Sequence, residues 1–296
     1  MGSTSFSWSM LEHAEFRWII LHLRLPRVLA AMLSGAALAL AGLILQTLFQ
    51  NPMAGPFVLG IASGALSGPI ILLLLGILPS MLQLILGSFV GAMAMTALIV
   101  LIASFISNRQ VLLLIGLMMG YFFSGLINIL IFFAPSNELK NFQIWSMGSF
   151  SRVTMDNLWV LGGMIILLIA VSFLFIKPLN AFMMGHDYAV SIGIDSRWNR
   201  RFLLLISSLL TAVVTAFCGP IGFIGLTAPH IGRFWLKTSY HQYLIPVSCL
   251  LGANMLCLCD IVARVLIPPN DLPIGLITSI LGAPLVIWFL WRVRFQ

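Results

Sequence analysis

Two short charged signatures border long apolar runs in this chain: R-L-P-R at 24–27, and D-I-V-A-R at 260–264. A solvated guanidinium pairs reversibly with a carboxylate, or it anchors a helix end among lipid headgroups. Catalytic chemistry has no comparable foothold. Lys140, Lys177 and Lys237 are the only lysines, and none closes a G-x-x-x-x-G-K-[ST] phosphate loop, so the chain has no means of hydrolysing ATP itself. No Ser-His or paired-Asp arrangement of an intramembrane hydrolase is legible. His230 has no second histidine or carboxylate at ligand spacing and is read as shaping the end of a short helix. Cys218, Cys249, Cys257 and Cys259 all lie in apolar runs, as small buried thiols do, with neither a disulfide framework nor a metal site implied.

The elements that must position these residues are membrane spans. The 296 residues are 60% hydrophobic and 8% charged, too few polar groups to coat a soluble globule of this length. Apolar stretches near the roughly 20 residues needed to cross a bilayer recur at 28–48, 57–77, 81–104, 111–134, 157–176, 202–218, 243–263 and 273–291, with a short one at 222–235. The expectation is an all-α polytopic bundle of about nine spans. Breaks fall at Asn51-Pro52, Gly55-Pro56, Ser107-Asn108, Pro135-Ser136-Asn137, Lys177-Pro178, Gly219-Pro220 and Pro268-Pro269-Asn270-Asp271. The net charge of +7 reports loop orientation rather than nucleic-acid binding. With the 177–201 loop inside, nine Lys/Arg face the cytoplasm and six face out, which places Arg24 and Arg27 outside.

Glycines at four-residue spacing suggest close helix packing: Gly60, Gly64 and Gly68 in one span, Gly87 and Gly91 in the next, then Gly116 and Gly120. No span carries an ionisable residue near its middle, as a transporter driven by an ion gradient usually does, and Asp260 and Arg264 lie at a span's outer end. The longest internal polar loop, 177–201, is where an energy-supplying partner could push. Asp187 through Ile194 is expected to form a short amphipathic helix, followed by the basic residues Arg197, Arg200 and Arg201. A basic loop lying on the membrane surface is the other reading of those residues.

Seven segments in order, R-L-P-R-V-L-A at 24–30, G-A-A-L-A-L-A-G at 35–42, Q-N-P-M-A-G-P at 50–56, L-G-I-A-S-G-A at 59–65, G-P-I-G-F-I-G-L-T-A-P-H-I-G-R at 219–233, D-I-V-A-R at 260–264 and L-P-I-G-L-I-T-S-I-L-G-A-P at 272–284, give the chain its family likeness. It resembles the permeases for iron-siderophore, haem and cobalamin uptake, of the ATP-binding-cassette class. The resemblance implies a homodimer in the bacterial cytoplasmic membrane. Two cytoplasmic ATPase subunits, which use ATP and magnesium, would dock inside, and a soluble extracytoplasmic binding protein would deliver substrate. The chain itself would bind no cofactor. By the same resemblance Arg24, Arg27 and Arg264 meet carboxylates of the binding protein, and Gly185, His186, Asp187, Tyr188, Ala189, Ile192, Gly193, Ile194 and Arg197 couple to the ATPase. Ferric siderophore leads as cargo, ahead of haem, cobalamin and oxyanion; an ion-coupled secondary transporter is the rival function. The family usually has ten spans. Residues 1–23 resemble the external linker after its first span, which leaves 24–296 as one permease domain.

Overall fold

The computed structural model describes residues 14–57, 59–75, 81–106, 108–133, 136–267 and 271–293, and among these every regular element is a helix. The helices are α1 (Ala14–Ile19), α2 (Leu25–Phe49), α3 (Ile61–Leu74), α4 (Met81–Phe105), α5 (Arg109–Phe133), α6 (Ser136–Ser146), α7 (Met155–Leu174), α8 (Ile176–Met184), α9 (His186–Ser191), α10 (Ser196–Cys218), α11 (Ile224–Leu236), α12 (His241–Val265) and α13 (Ile274–Val293). Each expected span falls on one of them. Six described helical segments are long and apolar enough to cross a bilayer, while α3 and the apolar stretch Ile274–Trp288 of α13 are shorter.

Hydropathy did not reveal α6, because its glutamate, lysine and asparagines read as a loop. It is helical because Phe142 and Trp145, three residues apart, bury themselves against Ile70 and Leu73 of α3. The described part of the expected 1–23 linker is also helical; residues 1–13 lie outside the described residues. Residues 14–24 run into α2 through a π-helical turn at Ile20–Arg24, in which Leu25 N–H donates to the Ile20 carbonyl. Pro26 follows at once. Lacking a donor and crowding the preceding turn, it favours such a widening.

α2 is the axis of the bundle. From Ala37 through Phe49 every residue is buried, enclosed by α7, α10, α11 and α12. It approaches α12 at Gly35 and Gly252 and α11 at Gly42 and Gly225, where a Cβ on the α2 glycine would fall inside the other backbone. α3 meets α4 in the same manner at Gly64 with Gly91 and Gly68 with Gly87, and Gly60 lies against Gly120 of α5; Gly116 is buried in α5. Small residues at such crossings let the apolar helices pack backbone to backbone, which favours association where lipid competes for every apolar contact.

Two four-helix sets repeat the same plan. α2, α3, α4 and α5 correspond to α10, α11, α12 and α13: α2 packs on α12 as α10 packs on α4, and α3 on α4 as α11 on α12. In each set a Gly-Pro segment breaks the chain before a short helix, which starts from a left-handed residue: Gly60 (φ 69°) before α3 and Phe223 (φ 65°) before α11. The two breaks meet inside the bundle, Gly222 against Phe57 and Gly225 against Pro56. Irregular backbone at such depth persists only where protein rather than lipid surrounds it, and residues 219–221 are buried.

Candidate functional site

The two ends of the bundle carry distinct polar constellations. At the end where α2 begins, Arg27 Nε and Nη2 donate to Asp260 Oδ1 at 3.0 and 2.9 Å. Arg264, one turn beyond Asp260 on α12, binds the other oxygen, and Asp271, just before α13, binds Arg27 Nη1. Asp260 is 2% exposed, whereas Asp271 is 46% exposed. One buried carboxylate therefore holds two arginines side by side, and a solvated one caps the cluster. Four charges sum to zero there. Arg24 stands half-buried one turn before Arg27. The i, i+4 pairing of Asp260 with Arg264 is visible as sequence spacing; the junction to Arg27, 233 residues away, and the part played by Asp271 are not.

At the opposite end lies the 177–201 loop, built as two short helices rather than the single helix 187–194 expected. Pro178 sits in the first turn of α8, where its missing N–H has no intrahelical partner to lose. Gly185 (φ 122°) turns the chain into α9. α9 stops at Ser191: Gly193 N–H returns to the Val190 carbonyl and Ile194 N–H to that of Ala189, closing the left-handed glycine terminus of a Schellman motif. Asp195 then caps α10 by accepting from Trp198 N–H at 3.0 Å. Ala189 is buried and anchors α9, whereas Tyr188, Ile192, Asp187, Gly193 and Arg197 are exposed and Ile194 and Gly185 half-buried. The His186 side chain lies outside the described residues.

A hydrogen-bonded chain absent from the sequence reading ties this loop to the bundle. Asn180 Oδ1 on α8 accepts both the backbone N–H and ring Nδ1–H of His241, each at 2.9 Å. That leaves His241 Nε2 to accept the hydroxyl of Thr47 on α2 at 2.8 Å. At the neighbouring residue of α2, Arg233 of α11 donates to Gln46 Oε1 at 2.6 Å, while Gln46 Nε2 donates to the Leu226 carbonyl at 3.2 Å. Gln50 Nε2 reaches back to the Phe182 carbonyl of α8 at 2.9 Å. His241 and Thr47 are buried, so each polar atom there needs its partner. Amides at 46 and 50 near the end of an otherwise apolar helix were the one local hint. His230 Nε2–H donates to the Pro52 carbonyl at 3.0 Å, and among the described residues no cluster of His, Cys, Asp or Glu could hold a metal.

A profile described as the FecCD transport family matches residues 1–292. The chain belongs to that family. It is 35% identical over 305 residues to the hemin transport system permease protein HmuU of Yersinia pestis, covering 100% of this chain and 91% of the relative. It is 38% identical over 289 residues to the vitamin B12 import system permease protein BtuC of Klebsiella pneumoniae, covering 97% and 86%. A solved structure described as an inward-facing conformation of a metal-chelate type ABC transporter superposes with a TM-score of 0.90 at 29% identity, covering 99% of this chain and 93% of that one. PsaBC from Streptococcus pneumoniae in complex with Fab, at 18% identity and TM-score 0.62, shares the fold alone. The chain is thus a multi-pass permease subunit of an ATP-binding-cassette importer.

Proposed function

We propose that this permease passes a bulky metal chelate, of the size class of haem, cobalamin or a ferric siderophore, into the bacterial cytoplasm. The R-L-P-R end faces outward and the 177–201 loop inward. Two ATPase subunits press on α8 and α9, and a binding protein docks outside on Arg24, Arg27 and Arg264. Haem and vitamin B12 are named for the two relatives above, and siderophore remains the leading candidate by the sequence resemblance.

The observation that carries the mechanism is the path Asn180–His241–Thr47. It joins a helix at the water interface to α2 and α12, while Arg233–Gln46 joins α2 to α11, the short helix that follows the Gly219-Pro220 break. A displacement of α8 is passed to the elements whose irregular segments meet inside the bundle, because separating any pair would strand a buried polar group. A second copy of the chain completes the pathway. Most of α5 is exposed in the single chain whereas most of α10 is buried, and Tyr121, Ser124 and Asn128 are exposed along one face of α5. Lipid is a poor neighbour for that stripe and a protein-lined path a good one.

Asn180→Leu tests the wiring. In the assembled transporter it should leave ATPase co-purification and basal hydrolysis near wild type while lowering uptake at least tenfold. Uptake and hydrolysis that remain coupled as in wild type would reject the path.

A further inference from the structure

Two adjoining hollows lie at the loop end; the larger shares Gly185, Asp187 and Arg197 with the expected ATPase-coupling segment, and the rest of their lining has no role in the function above. The larger, about 870 Å3, opens among the last turns of α2 and α4, the start of α5, the α8–α9 turn and the first turns of α10. Among the described residues its charged lining is Arg197, Arg200 and Arg201 with the acid Asp187, a surplus of two positive charges. The three arginines stand at i, i+3 and i+4 and so share one helix face. The smaller hollow, about 190 Å3, begins at the same Arg201 and continues between α4 and α10, past Val100 and Ala97 to Met93 on one wall and along Phe202 and Leu205 on the other. Thr96 also lines it, but its hydroxyl is turned to the Ala92 carbonyl at 2.8 Å. From Val100 to Met93 the groove runs roughly 10 Å along α4, away from the arginines.

We propose that the two hollows form one site for an anionic phospholipid, with the phosphate headgroup among Arg197, Arg200 and Arg201 and an acyl chain along the α4–α10 groove. This rests on the orientation given under Proposed function, which puts the site in the cytoplasmic leaflet. The joint geometry selects the class. A soluble anion would answer the arginines and leave the apolar groove empty, and a neutral lipid would fill the groove and leave the positive charge unanswered. An acidic side chain of an ATPase partner could enter the head cavity from water but not the groove. Basic pockets between membrane helices at the cytoplasmic side are suited to anionic headgroups. Because Gly185 between α8 and α9 and Asp187 in the first turn of α9 form part of the head cavity's wall, a bound headgroup braces the coupling loop against α10.

The full-length chain, purified in mild detergent, is titrated with phosphatidylglycerol, phosphatidylcholine and glycerol phosphate and followed by native mass spectrometry. Phosphatidylglycerol should bind at least tenfold more tightly than phosphatidylcholine. Each of Arg200→Gln and Arg201→Gln should weaken it about fivefold, the equivalent of roughly one kcal/mol per basic residue at an anionic surface. Leu205→Trp, which fills the groove, should weaken the lipid and leave glycerol phosphate unaffected. If the glutamine variants fail to fold, Arg201→Lys keeps the charge and should keep the preference. Equal binding of the two lipids, glycerol phosphate binding as tightly as phosphatidylglycerol, or displacement of the lipid by stoichiometric ATPase subunit would each overturn the site. Sidedness is read separately with Ser104→Cys, which lines the head cavity and should react with an impermeant thiol reagent from the cytoplasmic side, judged against the same chain with Ser104 intact. Reaction only from outside would overturn the orientation proposed above while leaving the lipid-binding result standing.

Discussion

Replacing Asp260 by asparagine separates the two carboxylates of the outer cluster by what they do. Asp260 is almost fully buried and is the acceptor shared by Arg27 and Arg264, whose side chains are each 12% exposed. Removing one partner of a buried ion pair costs about 3–5 kcal/mol, because the remaining charge keeps its desolvation penalty and loses its compensation. Here the lower end applies: Arg27 retains Asp271, both guanidiniums keep some contact with water, and asparagine still accepts a hydrogen bond. A loss of about 3 kcal/mol corresponds to a fall of roughly 6–12 °C in melting temperature, at about 2–4 °C per kcal/mol for a chain somewhat shorter than this one. Asp271→Asn removes a solvated partner and should cost under about 1 kcal/mol. Thermal unfolding of the purified protein in one detergent, followed by loss of helical signal, measures both. Adding Arg264→Met to Asp260→Asn should cost less than Arg264→Met alone, since the arginine being removed is already uncompensated. A melting temperature for Asp260→Asn equal to that of Asp271→Asn would refute the reasoning, because it would mean the two arginines are solvated and the shared carboxylate is a bystander.

Two further outcomes follow from named contacts. Gly42→Leu places a side chain inside the backbone of Gly225, neither helix can yield without moving the other, and the expected result is loss of folded protein on size-exclusion chromatography; Gly163→Ala, with nothing near its Cβ position, should be tolerated. Arg24→Glu with Arg264→Glu should slow association of the purified binding protein mainly at low salt, by more than the two alanine changes do, since repulsion replaces attraction and salt screens both. A carboxylate-to-arginine change on the partner should restore part of the rate, and normal low-salt association of the correctly inserted double variant would show the arginines to be headgroup anchors only.

Local chemistry determined where the helices lie. An apolar run of about 20 residues has one stable form in lipid whatever surrounds it, so all nine expected spans are helices, and the Gly-Pro and Asn-Pro breaks end them because proline cannot donate and glycine adopts φ values that other residues avoid. The Gly193 terminus of α9 belongs to the same class, although the expected helix ran one residue past it. α6 escaped because its burial depends on α3, and α8 because hydropathy averages away a short amphipathic turn. Spacing also marked Gly64, Gly68, Gly87 and Gly91 as a packing set; which glycine each would face, and that Gly35 and Gly42 meet Gly252 and Gly225, depended on helix order in space. Tertiary structure alone decided the polar connections. Asp260 finds Arg27 across 233 residues, Thr47 finds His241 across 194 and Gln46 is reached by Arg233 across 187. No one-dimensional pattern carries such pairs. Each side chain is an ordinary polar residue near a helix end until the bundle closes, removes it from water and leaves it only the partners that packing brings within reach.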